Sequence, residues 1–175
     1  MIKVFDSKNY SAGWKKFKRD SARAIIFCGE NLAMIRSKRF GEYKFPGGAI
    51  EKGESHLDAL FREVREETGL HIIPSSVREY GKTLVLRRGI NSNEIFEQES
   101  FYYLCDIDIA AKSSVNLDAG YETNYGYSLV FVSPDEAIKQ NTKRLNIPDI
   151  PWVERDLFVL CELQNGMKEA NWRTC

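Results

Sequence analysis

The sequence predicts an α+β fold in which a mixed β-sheet is sandwiched between helices. Segments that alternate or run apolar, rich in β-branched and aromatic residues, are typical of strands, and they outnumber the segments with helical spacing. Strands separate the predicted helices along the chain, so the helices can cover both faces of the sheet. With 175 residues, no internal repeat and no low-complexity linker, we expect one domain over residues 1–175.

The first predicted elements are the two strands of a β-hairpin. The apolar segments 23–27 (RAIIF) and 32–36 (LAMIR) flank a Gly-Glu-Asn turn at 29–31. A charged loop, SKRFGEYKF, follows and leads into a Pro-Gly-Gly turn at 46–48. The predicted hairpin is therefore followed, after this loop, by a glycine turn.

One helix is predicted from Ser55 to Thr68. Ser55 can cap its start with Asp58 as the capping-box partner, and Gly69 is a natural stop. At about 100° per residue, an apolar set faces the sheet and an acidic set lies about 110° around the helix from it. The apolar set is Leu57, Leu60, Phe61 and Val64, and the acidic set is Glu63, Glu66 and Glu67.

The later part of the chain predicts three more strands and two more helices. The strands lie within 77–88, 94–108 and 127–132, where apolar and aromatic residues alternate or cluster. A short helix begins at 133–136, where Ser-Pro-Asp-Glu supplies a cap and a proline in the first turn. A last helix begins near Pro151, because apolar residues recur beyond it at helical spacing.

Charge and composition exclude several classes of protein. The 25 basic and 25 acidic residues cancel, without a run of five like charges, so we expect neither a nucleic-acid polymer nor a membrane as partner. No apolar run approaches the roughly 20 residues of a membrane span. The four cysteines lie far apart without a C-x-x-C pair, which argues against zinc and favours a cytoplasmic location.

The acidic set beside the glycine turn predicts a divalent metal site. Like charges three and four residues apart destabilise a helix, so these acids need a cation, and Mg²⁺ or Mn²⁺ takes oxygen ligands. Arg62 follows Asp58 by four residues and can reach Glu54 if the loop folds back. Gly47 and Gly48 permit close backbone approach to a metal or phosphate. For three acids taken alone, the alternative is a solvated helix face.

The spacing from residue 48 to residue 70 is the most specific signal in the chain. It fits G-x5-E-x7-R-E-U-x-E-E-x-G-U, with U a bulky aliphatic residue, at every fixed position, and a chance match is on the order of 10⁻⁷. The segment resembles the Nudix box, and weaker similarity covers about residues 22–140. The N-terminal extension and the C-terminal helix lie outside the strongest similarity and could serve dimerisation or cover the substrate pocket.

The resemblance implies a Nudix fold, an α/β/α sandwich, and a hydrolase that cleaves a nucleoside diphosphate linked to another moiety. Water attacks phosphorus in such reactions, while bound Mg²⁺ or Mn²⁺ neutralises the phosphate oxygens and lowers the pKa of the water. By position, the family's metal ligands are Glu63, Glu66, Glu67 and the Gly48 carbonyl, and its bracing pair is Glu54 with Arg62.

The resemblance places the general base outside the box. Glu122 comes just before a strand, where many members of the family carry such an acid; the alternative is a loop carboxylate in water. Glu97 and Glu99 are its rivals, because strand alternation points both to one face. The candidate phosphate ligands are the nearest cations upstream of the box, Arg36, Lys38 and Arg39, with an ordinary surface cluster as the alternative.

The substrate class is indicated only by a missing marker. Many ADP-ribose pyrophosphatases of the family carry a proline about sixteen positions after the box, and many diadenosine polyphosphate hydrolases a tyrosine; residues 83–87 read TLVLR. This favours a MutT-like nucleoside triphosphate pyrophosphohydrolase, with ADP-ribose or nucleotide sugars as alternative substrates. A nucleotide-sensing module without turnover is the non-enzyme alternative. Nudix proteins are often homodimers, and a homodimer stays open here.

Overall fold

The structure, a computed structural model, describes residues 3–89, 93–108 and 126–169, with side chains described to residue 166. Its strands are β1 (Lys3–Asp6), β2 (Lys16–Lys18), β3 (Ser21–Ile25), β4 (Phe27–Cys28), β5 (Asn31–Ser37), β6 (Tyr43–Lys44), β7 (Gly47–Ala49), β8 (Arg78–Arg88), β9 (Ile95–Leu104) and β10 (Tyr127–Val132). Its helices are α1 (His56–Thr68), α2 (Pro134–Thr142) and α3 (Val153–Glu169). The predicted helices and later strands are therefore present.

The strands form a mixed sheet and a smaller antiparallel sheet. The mixed sheet has the order β1-β8-β9-β3-β7, with β2 also on β9, and it contains both parallel and antiparallel pairs. The second sheet has the order β10-β5-β4, with β6 on β5. The mixed sheet with covering helices confirms the predicted α+β sandwich.

Several details of the strands differ from the prediction, and the short strands β6 and β7 lie in the segment predicted as a charged loop and a glycine turn. The hairpin is present, but segment 23–27 is not one strand: β3 pairs with β9 and β7, whereas β4 pairs with β5. The chain changes sheet at Ile26, whose carbonyl accepts a hydrogen bond from the Ala33 amide. The strands β1 and β2 were not predicted, because lysines interrupt their apolar pattern and most of their residues are exposed.

The hydrophobic core lies on both sides of β3. Ala22 and Ala24 belong to the cluster that includes Leu60 of α1, whereas Ile25 belongs to the cluster that includes Leu160 of α3. Successive strand residues point to opposite faces, which explains this division. The small alanine side chains let α1 lie close to the sheet, next to the glycine turn in β7.

The ends of α1 are where the sequence predicts them. The Ser55 hydroxyl accepts a hydrogen bond from the Asp58 amide and donates one to the Asp58 carboxylate. Gly69 adopts a left-handed conformation, with φ of 68°, and its amide donates to the Arg65 carbonyl. The Asp58 amide and the Arg65 carbonyl are backbone groups that a helix end leaves unpaired, so local chemistry fixes the length of α1.

The buried face of α1 differs from the predicted apolar set. Leu57 is 40% exposed, whereas Glu63 and Glu67 are only 7% and 4% exposed. Two of the three acids therefore lie on the face that packs against the sheet, together with Leu60. Among the described residues, no helix has the length and apolar character that a membrane span requires.

Candidate active site

The glycine turn in β7 brings the sheet into contact with α1. Gly47 pairs with Arg23 of β3 and has φ of 124°, and a side chain there would overlap the Ala22 carbonyl. A side chain at Gly48 would overlap the carboxylate of Glu63. Position 47 therefore requires glycine, whereas the absence of a side chain at Gly48 lets a helix carboxylate lie directly against the turn.

Arg62 binds the carboxylates of this region together. Its Nε and Nη2 atoms donate to the two oxygens of Glu54, at 2.9 and 2.8 Å. Its Nη1 atom donates to Glu63 at 2.8 Å and to Glu66 at 3.4 Å, and Nη2 also donates to the Ala49 carbonyl at 3.1 Å. The guanidinium thus ties the loop before α1 to the helix itself.

The pKa values of two acids that Arg62 contacts are shifted in opposite directions, because only one of them is deeply buried. Hydrogen bonds from Arg62 hold the pKa of Glu54 below its usual range. Burial raises the pKa of Glu63, and the negative charge of Glu67 adds to that rise, although Arg62 opposes it. A further cation beside Glu63 would favour its ionised form.

Glu67 has partners of its own. Its Oε1 atom accepts a hydrogen bond from Lys44 Nζ at 2.8 Å, and its Oε2 atom accepts one from the Gly47 amide at 2.9 Å. The side chains of Lys44 and Glu67 are both buried. This ion pair links β6 to the last turn of α1.

The donor set fits a hard divalent cation. It consists of carboxylate oxygens and a glycine carbonyl, and the Glu63 carboxylate lies directly against Gly48. In the described part of the chain, no three His, Cys, Asp or Glu side chains are already arranged to hold a metal ion. Arg62 and Lys44 organise the carboxylates instead. The assignment of Gly48, Glu63, Glu66 and Glu67 as metal ligands stays a prediction.

A family model described as NUDIX domain matches residues 18–155. The chain belongs to the Nudix family. The match begins earlier and ends later than the similarity read from the motif, since it runs from the last residue of β2 to the first residues of α3. The box itself contributes the glycine turn, the loop with Glu54, and α1.

Two curated relatives share part of the Nudix sequence. An RNA pyrophosphohydrolase of Thioalkalivibrio sulfidiphilus (strain HL-EbGR7) is 43% identical over 61 residues, which is 34% of each chain. An RNA pyrophosphohydrolase of Psychromonas ingrahamii (strain DSM 17664 / CCUG 51855 / 37) is 44% identical over 48 residues, which is 26% of each chain. The matched region thus spans about a third or less of these relatives.

Solved structures support the Nudix fold. A NUDIX hydrolase from Nitrosomonas europaea aligns with a TM-score of 0.52 and 19% identity, covering 82% of this chain and 90% of that one. An ADP compounds hydrolase aligns with the same TM-score and identity, covering 87% of this chain and 76% of its own. At such identities the likeness shows the fold alone.

The structure describes two of the three predicted candidates for the general base. Glu97 and Glu99 both lie on β9, where Glu97 pairs with Lys16 and Glu99 pairs with Lys82 and Lys18. Glu122 lies outside the described residues. The choice among these acids stays a prediction.

The predicted phosphate ligands lie on β5 and in the loop that follows it. Arg36 is exposed, with its guanidinium 6.0 Å from the centroid of the Tyr43 ring. The Lys38 side chain lies against Gly126, and the exposed Arg39 is 3.8 Å from an Asp149 oxygen. Solvent can reach all three cations, which also leaves their role a prediction.

Two cations that contact the glycine turn or a box acid carry no signal within the motif. Arg23 donates to the carbonyls of Phe45 and Gly47, and Lys44 pairs with Glu67. In the sequence, each is a single cation among apolar or aromatic neighbours. That pattern is the one feature of the sequence that could have marked either residue as a buried cation. Their partners depend on strand register and on the position of α1, which spacing within the box does not specify.

Proposed function

We propose that this Nudix domain hydrolyses a pyrophosphate bond in a nucleoside diphosphate linked to another moiety. The first candidate substrate is a nucleoside triphosphate, as in MutT-like enzymes. The observation that most supports this reaction is that Arg62 forms ion pairs with three carboxylates of the box. These carboxylates lie beside the glycine turn, where the Glu63 carboxylate lies against Gly48. Membership of the family supports the same reaction class.

In this proposal, Mg²⁺ or Mn²⁺ binds to the box carboxylates Glu63, Glu66 and Glu67 and the carbonyl of Gly48. When bound, such an ion neutralises the phosphate oxygens and lowers the pKa of the attacking water. Arg62 and Glu54 hold the helix and the preceding loop in register, so that these oxygens keep their positions.

The remaining steps fall to residues outside the box. Glu122, with Glu97 and Glu99 as rivals, takes the proton of the attacking water, whose oxygen bonds to phosphorus as the bridging P–O bond breaks. The leaving phosphate or pyrophosphate keeps the electron pair of that bond. Among the cations, Arg36, Lys38 and Arg39 steer the phosphate chain by charge.

The names of the two curated relatives add a second candidate substrate, an RNA that carries a pyrophosphate bond. The internal links of RNA are phosphodiesters, so such a bond lies at an end of the chain, whereas ADP-ribose and nucleotide sugars present an internal diphosphate. The sequence favours the free nucleotide, because the chain has no net charge. The cytoplasmic location stays a prediction from the sequence, and a homodimer stays open.

A substrate panel tests the proposal. Purified protein with Mg²⁺ is incubated with nucleoside triphosphates, a 5′-triphosphorylated RNA, ADP-ribose and a nucleotide sugar, and the products, including released phosphate and pyrophosphate, are measured. We expect Glu66→Gln to lower kcat/KM by about 100-fold or more, since loss of an outer-shell partner alone typically costs 10–100-fold. The matched control is Glu51→Gln, an exposed acid in the variable part of the box, which we expect to keep its rate.

Two other results would contradict the proposal. Thermal stabilisation by a nucleotide without turnover of any substrate would indicate the sensing module instead. Absence of both turnover and any Mg²⁺-dependent change in melting temperature would indicate that the acids of α1 only shape the fold.

A further inference from the structure

We propose that the α3 side of the mixed sheet binds single-stranded nucleic acid, at a surface that contains no residue of the box. The strands β1, β8, β9 and β2 lie side by side there, and we name the surface the basic face. It consists of Lys3, Lys15, Phe17, Arg19, Arg87 and Phe96. The proposal concerns binding alone, so it does not depend on the proposed hydrolysis.

Strand register brings three side chains of the basic face into one row. Phe17 of β2 pairs with Phe96 of β9, and Arg87 of β8 pairs with the same Phe96. The two ring centroids are 6.2 Å apart, and the Arg87 guanidinium lies 4.2 Å from the centroid of Phe96. Because Phe17 is 51% exposed, the row presents an accessible ring close to a positive charge.

Two exposed cations flank Phe17 along the chain. The Ile95 amide donates to the Lys15 carbonyl and the Arg19 amide donates to the Glu97 carbonyl, so the pairing of β2 with β9 continues at both ends. Side chains two residues apart point to the same side of a strand. Lys15 and Arg19 therefore lie on the same face as Phe17, one on each side of its ring.

The other two lysines of β2 point to the opposite side of the sheet. Lys16 pairs there with Glu97, and Lys18 pairs with Asp20 at 3.1 Å. The strand therefore sorts its four cations into two groups. Two are held by acids on the α1 side, and two lie beside the exposed ring.

A cavity of about 540 Å³ adjoins the row. Arg87 lines it together with Lys3 and the rings of Phe5 and Phe158. Lys3 Nζ is 5.7 Å from the centroid of Phe158, and the two rings meet edge to face at 5.7 Å. Ligand pockets commonly measure about 300–1,000 Å³, with apolar walls and a few polar groups. The cavity can therefore hold one nucleotide unit next to the row.

Cations outnumber acids on the basic face and around the cavity. Among the described residues, the cations are Lys3, Lys15, Arg19, Arg87 and Arg144, and the acids are Glu94, two residues before Phe96, and Glu154. Arg155 also lines the cavity, but it is paired with Asp156. The net charge of zero is an average over the chain, whereas this face is positive, as a phosphate-binding surface requires.

The chemistry of the basic face suits single strands. Exposed bases stack on aromatic rings, arginine adds cation–π attraction, and neighbouring cations bind the phosphates. The bases of a duplex already stack on one another, so they are not free to use Phe17. A twofold contact with a second copy would place Lys15 and Arg19 of both copies close together, which their charges oppose. A membrane needs a broader apolar surface than one exposed ring.

Fluorescence anisotropy tests the inference with a labelled oligouridylate of about 12 nucleotides, and with an oligothymidylate of the same length. EDTA in the buffer prevents metal-dependent hydrolysis. We expect Phe17→Ala to weaken binding about tenfold or more, and Phe17→Tyr, which keeps a ring, to bind as the wild type does. Tighter binding of the uridylate would identify RNA as the ligand, and equal binding would identify single strands in general.

The double variant Lys15→Gln with Arg19→Gln tests the phosphate contacts. Each lost contact lowers the slope of log K against log salt concentration by about 0.7, so we expect a slope smaller by about 1.4. The matched control is Lys16→Gln with Lys18→Gln, which removes the same charge from the opposite side of the same strand. Its salt dependence should stay close to that of the wild type.

Several results would overturn the inference. Absence of binding at about 50 mM salt, or wild-type affinity of Phe17→Ala, would show that bases do not stack on the row. Equal losses in the two double variants would indicate overall charge alone. Binding to vesicles of anionic phospholipid in place of the oligonucleotides would assign the face to a membrane, and a dimer that Phe17→Ala dissociates would assign it to a second copy. None of these results affects the proposed hydrolysis.

Discussion

Replacement of Arg62 by methionine tests whether the box is held together by its own charges. The change removes the hydrogen bonds to Glu54, Glu63 and the Ala49 carbonyl. Breaking a buried ion pair costs 3–5 kcal/mol, and exposed pairs contribute about 0–1 kcal/mol. The side chains of Arg62, Glu54 and Glu63 are 27%, 15% and 10% exposed, so we expect an intermediate loss of about 2–3 kcal/mol.

Urea unfolding at pH 7 in the presence of EDTA measures the free energy of unfolding without a bound metal ion. Arg62→Lys keeps the charge but loses the two-pronged contact with Glu54, so its loss should be smaller, about 1–2 kcal/mol. The control on the same helix is Arg65→Met, which removes an exposed arginine and should change stability by about 0.5 kcal/mol or less. The reasoning is refuted if Arg62→Met and Arg65→Met unfold at the same urea concentration.

Three further predictions concern the core, the glycine turn and a thiol. Leu60→Ala should lower the free energy of unfolding in urea by about 2–5 kcal/mol, and Leu57→Ala on the same helix by about 0.5 kcal/mol; equal losses would mean that both leucines pack against the sheet. Gly53→Ala meets an unfavourable φ alone and should lower the free energy of unfolding by about 1–2 kcal/mol. Gly47→Ala combines an unfavourable φ with a clash against β3, so in the same assay its loss should be larger by at least about 2 kcal/mol. Burial raises the pKa of Cys105 to about 12, so mass spectrometry should find it unmodified by iodoacetamide at pH 8 until urea unfolds the protein; rapid native modification would contradict the burial.

The sequence was most informative where structure depends on neighbours along the chain. The limits of α1 follow from a cap at Ser55 and a glycine at residue 69, and both signals act within four residues of the helix end. The contact between Arg62 and Glu54 was also predictable, because a helix and a short loop bring residues eight apart within reach. Such contacts need no knowledge of the rest of the fold.

The sequence was least informative where partners come from distant elements. Arg23 reaches Gly47 only because β3 and β7 pair in one particular register, and Lys44 reaches Glu67 only because β6 ends beside the last turn of α1. Local spacing also does not reveal that the chain changes sheet at Ile26. The change depends on distant partners, because β3 before it pairs with β9 and β4 after it pairs with β5.

The burial of Glu63 and Glu67 shows why the predicted faces of α1 were only partly right. Helical periodicity assigns carboxylates to the solvent side, because an unpaired charge is costly to bury. That rule fails where a cation pairs with the buried carboxylate, as Arg62 does with Glu63 and Lys44 does with Glu67. A buried acid in the box therefore implies a paired cation, but only one of the two cations belongs to the motif. It follows that the burial of the box acids depends partly on a residue outside the motif, because β6 supplies Lys44 to Glu67.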